Sequence, residues 1–460
     1  MKRIIHLSFL ASIVVVNSMA ADDLVGMFNE GKVSGQFREF SISREVDDTR
    51  TFGGPTLIGE DYTRKANAIG GYLKYETGAW NGLSLGAAAY GTIGFHLGNR
   101  ANVNEVDPTL LGENNSNDVY LGEGYLQYKK GNTTFKGGRQ KLDTPMAGSD
   151  DARMLPNLFE AYVLSNTDVK DTTLIAAHVT KFAQGTFGRA YTSGILSVTS
   201  GYSLVDSRNQ TGDFTNMGKY AIGENTDGVS VVAGIYAGIP GLKLQLWDYY
   251  AHDILNAIYA EANYGWSYPS GVSPYVAAQW INERDVGSNN VAAVQKVESD
   301  FIAAKAGVKV ANFDVYAAIS QNSKDSDVKN GTHGGTISPW GGMPAYTQGM
   351  VTRHQFMAGT DALKLAGSYD WKSLGINLNT GVYYTQFKMD PLNGYSVGES
   401  WTVKETGFDI IFVPESIKKL QLRLRANYTN DFYDRTIDAT ATKNGSVSWD
   451  EYRFIANYNF

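Results

Sequence analysis

The sequence predicts an all-β chain, folded as a transmembrane antiparallel β-barrel of about 18 strands with short periplasmic turns and long surface loops. Three observations lead there. Segments of roughly ten residues with alternating apolar and polar side chains recur from end to end, as in strands with one lipid-facing side. The connections between them alternate between short and long. The closing segment, Tyr452 to Phe460, places Phe454, Ala456, Tyr458 and Phe460 on one face. Arg453, Asn457 and Asn459 fall on the other, where only Ile455 breaks the polar side.

At the N-terminus, Lys2 and Arg3 precede a mostly apolar stretch, Ile4 to Val16, and Ser18-Met19-Ala20 follows with a small-x-small pattern. This is the layout of an export signal, and the stretch is shorter than the ~20 residues of a spanning helix. Residues 1–20 are expected to be removed, leaving 21–460 as a single barrel domain. Losing Lys2 and Arg3 takes the formal net charge from −7 to −9. Elsewhere no apolar run has helical-span length, which argues against a polytopic helical membrane protein. The chain has no cysteine, so disulfides and thiolate metal sites are excluded. It holds 50 Gly, 28 Tyr, 20 Phe and 8 Trp against 11 Pro, a mixture suited to long strands, tight turns and aromatic girdles. A secreted β-solenoid would carry a strict short repeat, which this sequence lacks.

The alternating segments fall at 32–44, 67–77, 83–94, 120–130, 133–142, 160–165, 171–182, 230–237, 242–250, 254–264, 275–282, 301–310, 313–320, 362–369, 376–387, 402–412, 420–428 and 452–460. Three of the short turns launch strands with alternate leucines: Leu83 and Leu85; Leu242, Leu244 and Leu246; Leu420, Leu422 and Leu424. These are expected against lipid, with their neighbours in the lumen. An open sheet edge is intolerable in lipid, so such strands close into a barrel. About 16 to 18 strands enclose a water-filled channel, whereas about 8 are filled by side chains. Two connections break the alternation: 250–254 is short for a loop and 265–274 long for a turn. Residues 22–31 are expected outside the barrel.

The segment Gly138-Arg139-Gln140-Lys141-Leu142-Asp143-Thr144-Pro145-Met146-Ala147-Gly148-Ser149-Asp150-Asp151-Ala152-Arg153-Met154-Leu155-Pro156 resembles the "GRQ…TP…SD.R.LP" stretch of the OprD family of outer-membrane porins. Arg38, Phe40 and Arg44 resemble that family's first strand, and Leu420 to Arg425 with Tyr452 to Phe460 resemble its last two. The resemblance spans nearly the whole mature chain and departs mainly in inserted loops. It implies a monomer-like barrel with a narrow pore, inward-folded third and seventh loops, and an arginine ladder that guides carboxylate-bearing solutes. Residues 143–159 lie between the fifth and sixth segments and 321–361 between the thirteenth and fourteenth, where those constriction loops belong. The second of them carries Gly331, Gly334, Gly335, Gly341, Gly342 and Pro344, suited to a folded loop.

Parity selects the candidate pore-lining charges. Leu422 and Leu424 toward lipid turn Arg423 and Arg425 inward, and Arg453 is inward on the last strand. Lys74 shares the polar face of its strand, Lys305 and Lys309 share another, and Lys364 is inward on its own. Barrel closure would assemble Arg423, Arg425, Arg453, Arg38 and Lys74 into one basic wall, although the parity of Arg38 and of Arg139 is ambiguous from sequence. A cation on the lipid face near the midplane costs ~2–4 kcal/mol, so mid-strand arginines belong inside. There they either focus the field along a solute path or brace the wall by pairing with acids such as Glu405 and Asp409. In the third loop, Asp150, Asp151 and Arg153 either face the basic wall or serve the loop's own turn.

Enzymatic readings find little support. His6, His96, His178, His252, His333 and His354 are scattered without ligand spacing, and His252-Asp253 reads as a surface polar pair. Gly331 to Gly335 lacks the GK[ST] of a phosphate-binding loop. Asp107, Glu113, Asn114, Asn115, Asn117 and Asp118 have the composition of a calcium loop but read more simply as a solvated polar loop. The expectation is therefore a non-enzymatic channel of the Gram-negative cell outer membrane, without cofactor. Its partners would be small hydrophilic, mainly anionic solutes, outer-membrane lipid and lipopolysaccharide, and the barrel-assembly machinery, which would read Phe460. No nucleic-acid partner is implied, and the protein would be a monomer or loose trimer. A weakly conducting surface adhesin, separable by conductance, and a secreted all-β polysaccharide-degrading enzyme, separable by fractionation, are the alternatives.

Overall fold

The computed structural model describes residues 20–49, 61–95, 98, 105–190, 202, 211–287, 296–324, 332–395, 398, 400–434 and 445–460. Of the expected export signal at 1–20, residues 1–19 lie outside them. Eighteen antiparallel strands close into one barrel. They are β1 (Lys32–Asp48), β2 (Tyr62–Glu76), β3 (Leu83–Gly94), β4 (Asp118–Lys130), β5 (Thr133–Gln140), β6 (Leu158–Asn166), β7 (Thr172–Ala183), β8 (Val229–Tyr236) and β9 (Leu242–Ala251). The second half comprises β10 (Leu255–Gly265), β11 (Val272–Asp285), β12 (Lys296–Val310), β13 (Phe313–Asn322), β14 (Asp361–Asp370), β15 (Leu378–Lys388), β16 (Thr402–Phe412), β17 (Leu420–Asp434) and β18 (Ser446–Asn459). Each strand pairs with its sequence neighbours. β1 closes the ring by pairing with β18 as well as β2, in a register where Arg38 faces Asn457 and Ile42 faces Arg453.

Each expected segment overlaps one strand, and 83–94 and 402–412 coincide with β3 and β16. The largest differences lie at the surface-side ends. β1 continues past 44 to Asp48, and β18 begins at Ser446 rather than at 452. There the inward residues Val46, Val447 and Trp449 pack against loops while the outward ones are polar, so the lipid pattern that marks a strand in sequence is absent. The alternate leucines do face outward: Leu85, Leu244, Leu246 and Leu424 are exposed. Ile455 points inward and packs with Met154 and Leu155 of the third loop, which accounts for the one apolar residue on the polar side of β18.

The buried apolar core lies inside the barrel, where loops pack on the inner wall. The helix α1 (Leu24–Asn29) sits at the periplasmic end. Asp23 caps it by accepting from Gly26 N at 2.6 Å, and Met27 O accepts from Gly78 N at 2.7 Å. The helix α2 (Met217–Ile222) lies in the fourth loop with Met217, Tyr220, Ala221 and Ile222 buried. Trp340 Nε1 of the seventh loop donates to Met217 O at 3.1 Å.

Candidate functional site

Neighbouring strands place their arginines level. Arg425 on β17 stands opposite Asp409 on β16 and Arg453 on β18. Arg423 lies one pair closer to the periplasm on the same face. Arg423 Nε donates to Asp409 Oδ1 at 2.7 Å, and its Nη2 reaches the second carboxylate oxygen. Arg425 Nε lies 3.4 Å from Asp409 Oδ2 but makes no hydrogen bond among the described residues. Two guanidiniums thus share one carboxylate, and the group is left with a net positive charge.

Arg453 is held differently. Its Nε lies 3.0 Å from Glu451 Oε1, and its Nη2 donates to Asn427 Oδ1 at 2.8 Å. Glu451 also takes Arg44 Nε at 3.0 Å and Arg153 Nη2 at 2.7 Å. Arg44 reaches Asp107 at 3.4 Å. All five side chains are buried. Glu451 is therefore the central acid for three arginines from two strands and a loop, and removing one member of such a buried set costs ~3–5 kcal/mol.

The third loop (141–157) folds back into the barrel. Arg38 points inward, its parity settled by the buried Phe40 and Ile42 on the same face. Arg38 Nη1 donates to Asp151 Oδ1 at 2.7 Å and to the Arg153 carbonyl oxygen. Lys141 Nζ donates to the other oxygen of Asp151 at 3.2 Å. Burial raises the Asp151 carboxyl, but Arg38 and Lys141 outweigh it and hold the group well below the usual carboxylate range. The neighbouring Asp150 has φ 41°, and there burial wins over Arg353 and Tyr202, so its carboxyl is raised. Arg153 does serve a loop carbonyl, Ala152 O at 3.2 Å, but its other bonds go to Thr109 and Glu451.

The seventh loop (323–360) is anchored to the wall at two separate places by strand carboxylates. Glu405 on β16 accepts from Met350 N at 2.5 Å, Thr352 N at 2.9 Å and Thr352 Oγ1 at 2.6 Å. Glu283 on β11 accepts from Ile337 N at 2.8 Å. Thr385 Oγ1 and Lys364 Nζ donate to Thr347 O and Gln348 O at 2.7 and 2.6 Å. The tips of the two loops meet. Met343 N donates to Pro145 O at 2.7 Å, Gly148 N to Trp340 O at 3.2 Å, and Ser338 Oγ to Met146 O at 2.6 Å. Asp150 and Arg353 pair at 3.5 Å. Glycine is required at this joint: Gly342 has φ 79°, and a Cβ on Gly148 would lie 2.9 Å from Gly342 Cα. Beneath the third loop a cavity of about 380 Å³ is lined by Arg38, Lys74, Glu123, Lys136, Lys141 and Asp151 among others.

With the barrel, the inward arginines and the two joined loops in place, comparison with known proteins is decisive. The sequence matches the family described as outer membrane porin, OprD family, over residues 25–460. The chain belongs to the OprD family of outer membrane porins. A search of curated proteins returned no match. Among solved structures, Pseudomonas aeruginosa OpdK, determined with vanillate, aligns at TM-score 0.71 and 15% identity over 94% of this chain and 99% of that one. OccK9 (OpdG) from the same organism aligns at 0.71 and 18% over the same shares. OccK2 (OpdF), determined in complex with glucuronate, aligns at 0.69 and 15%, again over 94% and 99%. These identities establish the shared fold. OprD-family barrels are outer-membrane proteins, and the family and fold are those of porins, which are not enzymes.

The remaining expected residues of this OprD-family porin are dispersed. Lys74 lines the same cavity as Arg38, and Glu123 and Glu76 beside it take its ammonium at 3.2 and 3.5 Å. Lys309 pairs with Asp314 at 3.5 Å. Lys305 makes no ion pair among the described residues and lies 4.4 Å from the ring centre of Tyr346. Lys364 sits 4.6 Å above the Tyr383 ring. Arg139 points outward, 3.9 Å from Glu160 and 4.2 Å from the Phe214 ring centre. Asp107 is committed to Arg44 and to Thr109 N, at 2.9 Å, and among the described residues no His, Cys, Asp and Glu cluster has metal-site geometry. His252 Nε2 lies 2.9 Å from Ser230 Oγ on the outer face. Glu405 anchors the seventh loop rather than an arginine. Glu451 and Glu283 were outside the expected set. The signal for Glu451 was its two-residue spacing from Arg453, which puts both on one face of a strand.

Proposed function

We propose that this porin forms a water-filled channel for passive diffusion of small hydrophilic solutes, with a preference for anions that bear a carboxylate. The observation that carries this reading is the sharing of Asp409 by Arg423 and Arg425, which leaves inward guanidinium charge for a solute carboxylate to meet, where bidentate pairing is available. Arg453 and Arg38 would extend that path, Lys364, Lys305 and Lys309 would line it on further strands, and Asp150, Asp151 and Arg153 would set the constriction through the third loop. The carboxylates in the OpdK and OccK2 complexes, vanillate and glucuronate, support the same solute class. No covalent chemistry is assigned. Export by removal of residues 1–20 and recognition of Phe460 during assembly belong to the same reading, as do lipopolysaccharide and lipid as surroundings.

The test is planar-bilayer recording of the purified protein. The expected result is ohmic steps, a reversal potential toward the anion's equilibrium value in a salt gradient, and current block by millimolar glucuronate or benzoate. Shortening 143–159 should raise conductance without preventing insertion. Absence of steps from protein that has inserted would favour a non-conducting binding barrel. Cation selectivity would reject the anion preference while leaving the channel.

A further inference from the structure

Eight methionines fall among the described residues. Seven are at most 2% exposed, and Met146 and Met343 among them are packed into the core at the joint between the third and seventh loops. The eighth, Met350, is half-buried, and so are Gln348 and Gly349 before it. This stretch of the seventh loop borders the bore while its backbone is pinned to the wall. Met350 N donates to Glu405 Oε1 on β16 at 2.5 Å and to the Tyr383 hydroxyl oxygen on β15 at 3.1 Å. From there the side chain reaches β18, where its Sδ lies 3.3 Å from Arg453 Nη2.

Both hydrogens of Arg453 Nη2 are thereby assigned. One goes to Asn427 Oδ1 at 2.8 Å. The other meets the thioether, which is only a weak acceptor. The chain has no cysteine, so its thioethers are the groups that peroxide oxidises most readily. Hydrogen peroxide is close to water in size and enters a water-filled bore. It reaches Met350 without loop opening, whereas the seven buried sulfurs react only when their surroundings open. The product differs sharply from the reactant. Oxidation turns an apolar side chain into a polar one, whose sulfoxide oxygen is a strong acceptor, and Arg453 stands beside it as a donor already in place.

We propose that Met350 is a site of oxidation by hydroperoxides entering the channel, and that its sulfoxide weakens the hold of Arg453 on a solute carboxylate. A sulfur lone pair attacks one oxygen of hydrogen peroxide. The S–O bond forms as the O–O bond breaks, and the departing hydroxide takes the proton from the transferred oxygen to give water. Sulfur loses two electrons and the peroxide gains them. The new oxygen accepts from Arg453 Nη2, in the place of a thioether that a carboxylate would readily displace. A solute then competes with a fixed neutral acceptor that it did not face before. The effect on transport rests on the channel reading above; the oxidation itself does not.

The test exposes purified, folded protein to hydrogen peroxide and maps its methionines by mass spectrometry. Met350 is expected to gain one oxygen roughly tenfold or more faster than the seven buried methionines. In planar bilayers the oxidised protein should show a reversal potential shifted away from the anion's equilibrium value, and weaker block by glucuronate, relative to its own untreated state. In Met350→Leu, which keeps the bulk and forms no sulfoxide, both responses to peroxide should vanish. Oxidation of Met350 no faster than that of Met146 or Met343 would overturn the site. A peroxide response that persists in Met350→Leu would overturn the effect on Arg453, as would full conversion of Met350 with reversal potential and block unchanged. The mapping reads the site even in a barrel that passes no current, so failure of the channel reading is told apart from failure of this proposal.

Discussion

Asp409 is the residue on which the lumenal charge turns. It ties Arg423 and Arg425 to the wall, and it also offsets part of their charge. Neutralising both arginines to Gln is expected to reduce anion selectivity by a factor of several. A permeating anion several ångströms away interacts with each by about 1 kcal/mol in water and by more in a confined pore. The loss should be larger at low salt, because the screening length grows from ~3 Å at 1 M to ~30 Å at 0.01 M. Asp409→Asn should shift the reversal potential the other way. If bracing is the arginines' whole role, the double variant melts earlier with its selectivity intact. Glu451→Gln tests a different function of charge. It leaves Arg44, Arg153 and Arg453 without their central carboxylate, so the urea midpoint in vesicles should fall, corresponding to ~3–5 kcal/mol. An unchanged midpoint would mean that the cluster is not structural. The inward setting of Arg423 and Arg425 was legible in the sequence because leucines fix the parity of β17. The pairing of Glu451 was not, because its partners come from positions 44, 153 and 453, which only barrel closure and loop folding bring together.

Among elements, the strands were legible from their periodicity, and the packing of the loops was not. A strand in lipid repeats its environment every second residue, so its sequence repeats too. The loops inside the barrel meet a different neighbour at each position, and nothing periodic marks Met217, Tyr220, Trp340 or Phe356 as buried. The fourth loop, between β7 and β8, packs α2 within the barrel with no such mark in its sequence. The seventh loop carries a titratable group of its own. Burial lowers His354 to about 4, and its Nε2 lies 2.9 Å from Phe432 O. The imidazole is neutral when packed and takes up a proton when released. Between about pH 6.5 and about pH 4 the released state binds more protons, so packing free energy is lost as pH falls through that window. Larger, noisier openings should therefore become more frequent between pH 7 and pH 4.5. In His354→Gln, which does not titrate, that response should flatten; an identical pH response would assign it to another group.

At the scale of the whole molecule, closure depends on the seam between β1 and β18. Phe460 extends the ladder past Asn459: its N–H donates to Gly35 O at 3.1 Å, and its carbonyl accepts from Gly35 N at 3.2 Å. Its ring covers Gly35, where a Cβ would meet Phe460 Cζ at 2.5 Å. Deleting Phe460 removes both hydrogen bonds and uncovers the seam. The folded, heat-modifiable fraction in outer membranes should drop, and Gly35→Val should mimic the loss by displacing the ring. Normal abundance in both variants would show that the seam tolerates an open end.

The joint between the third and seventh loops has a mechanical consequence. One loop is fastened to β1 and β18, the other to β11 and β16, and their tips are hydrogen-bonded together. Together they form a strut spanning the ring from one side to the other. An unbraced cylinder of this width flattens easily under lateral pressure from the bilayer, whereas a strutted one resists ovalisation along the strut. The bore is thereby held to a fixed cross-section by two facing backbone segments rather than by the stiffness of the wall.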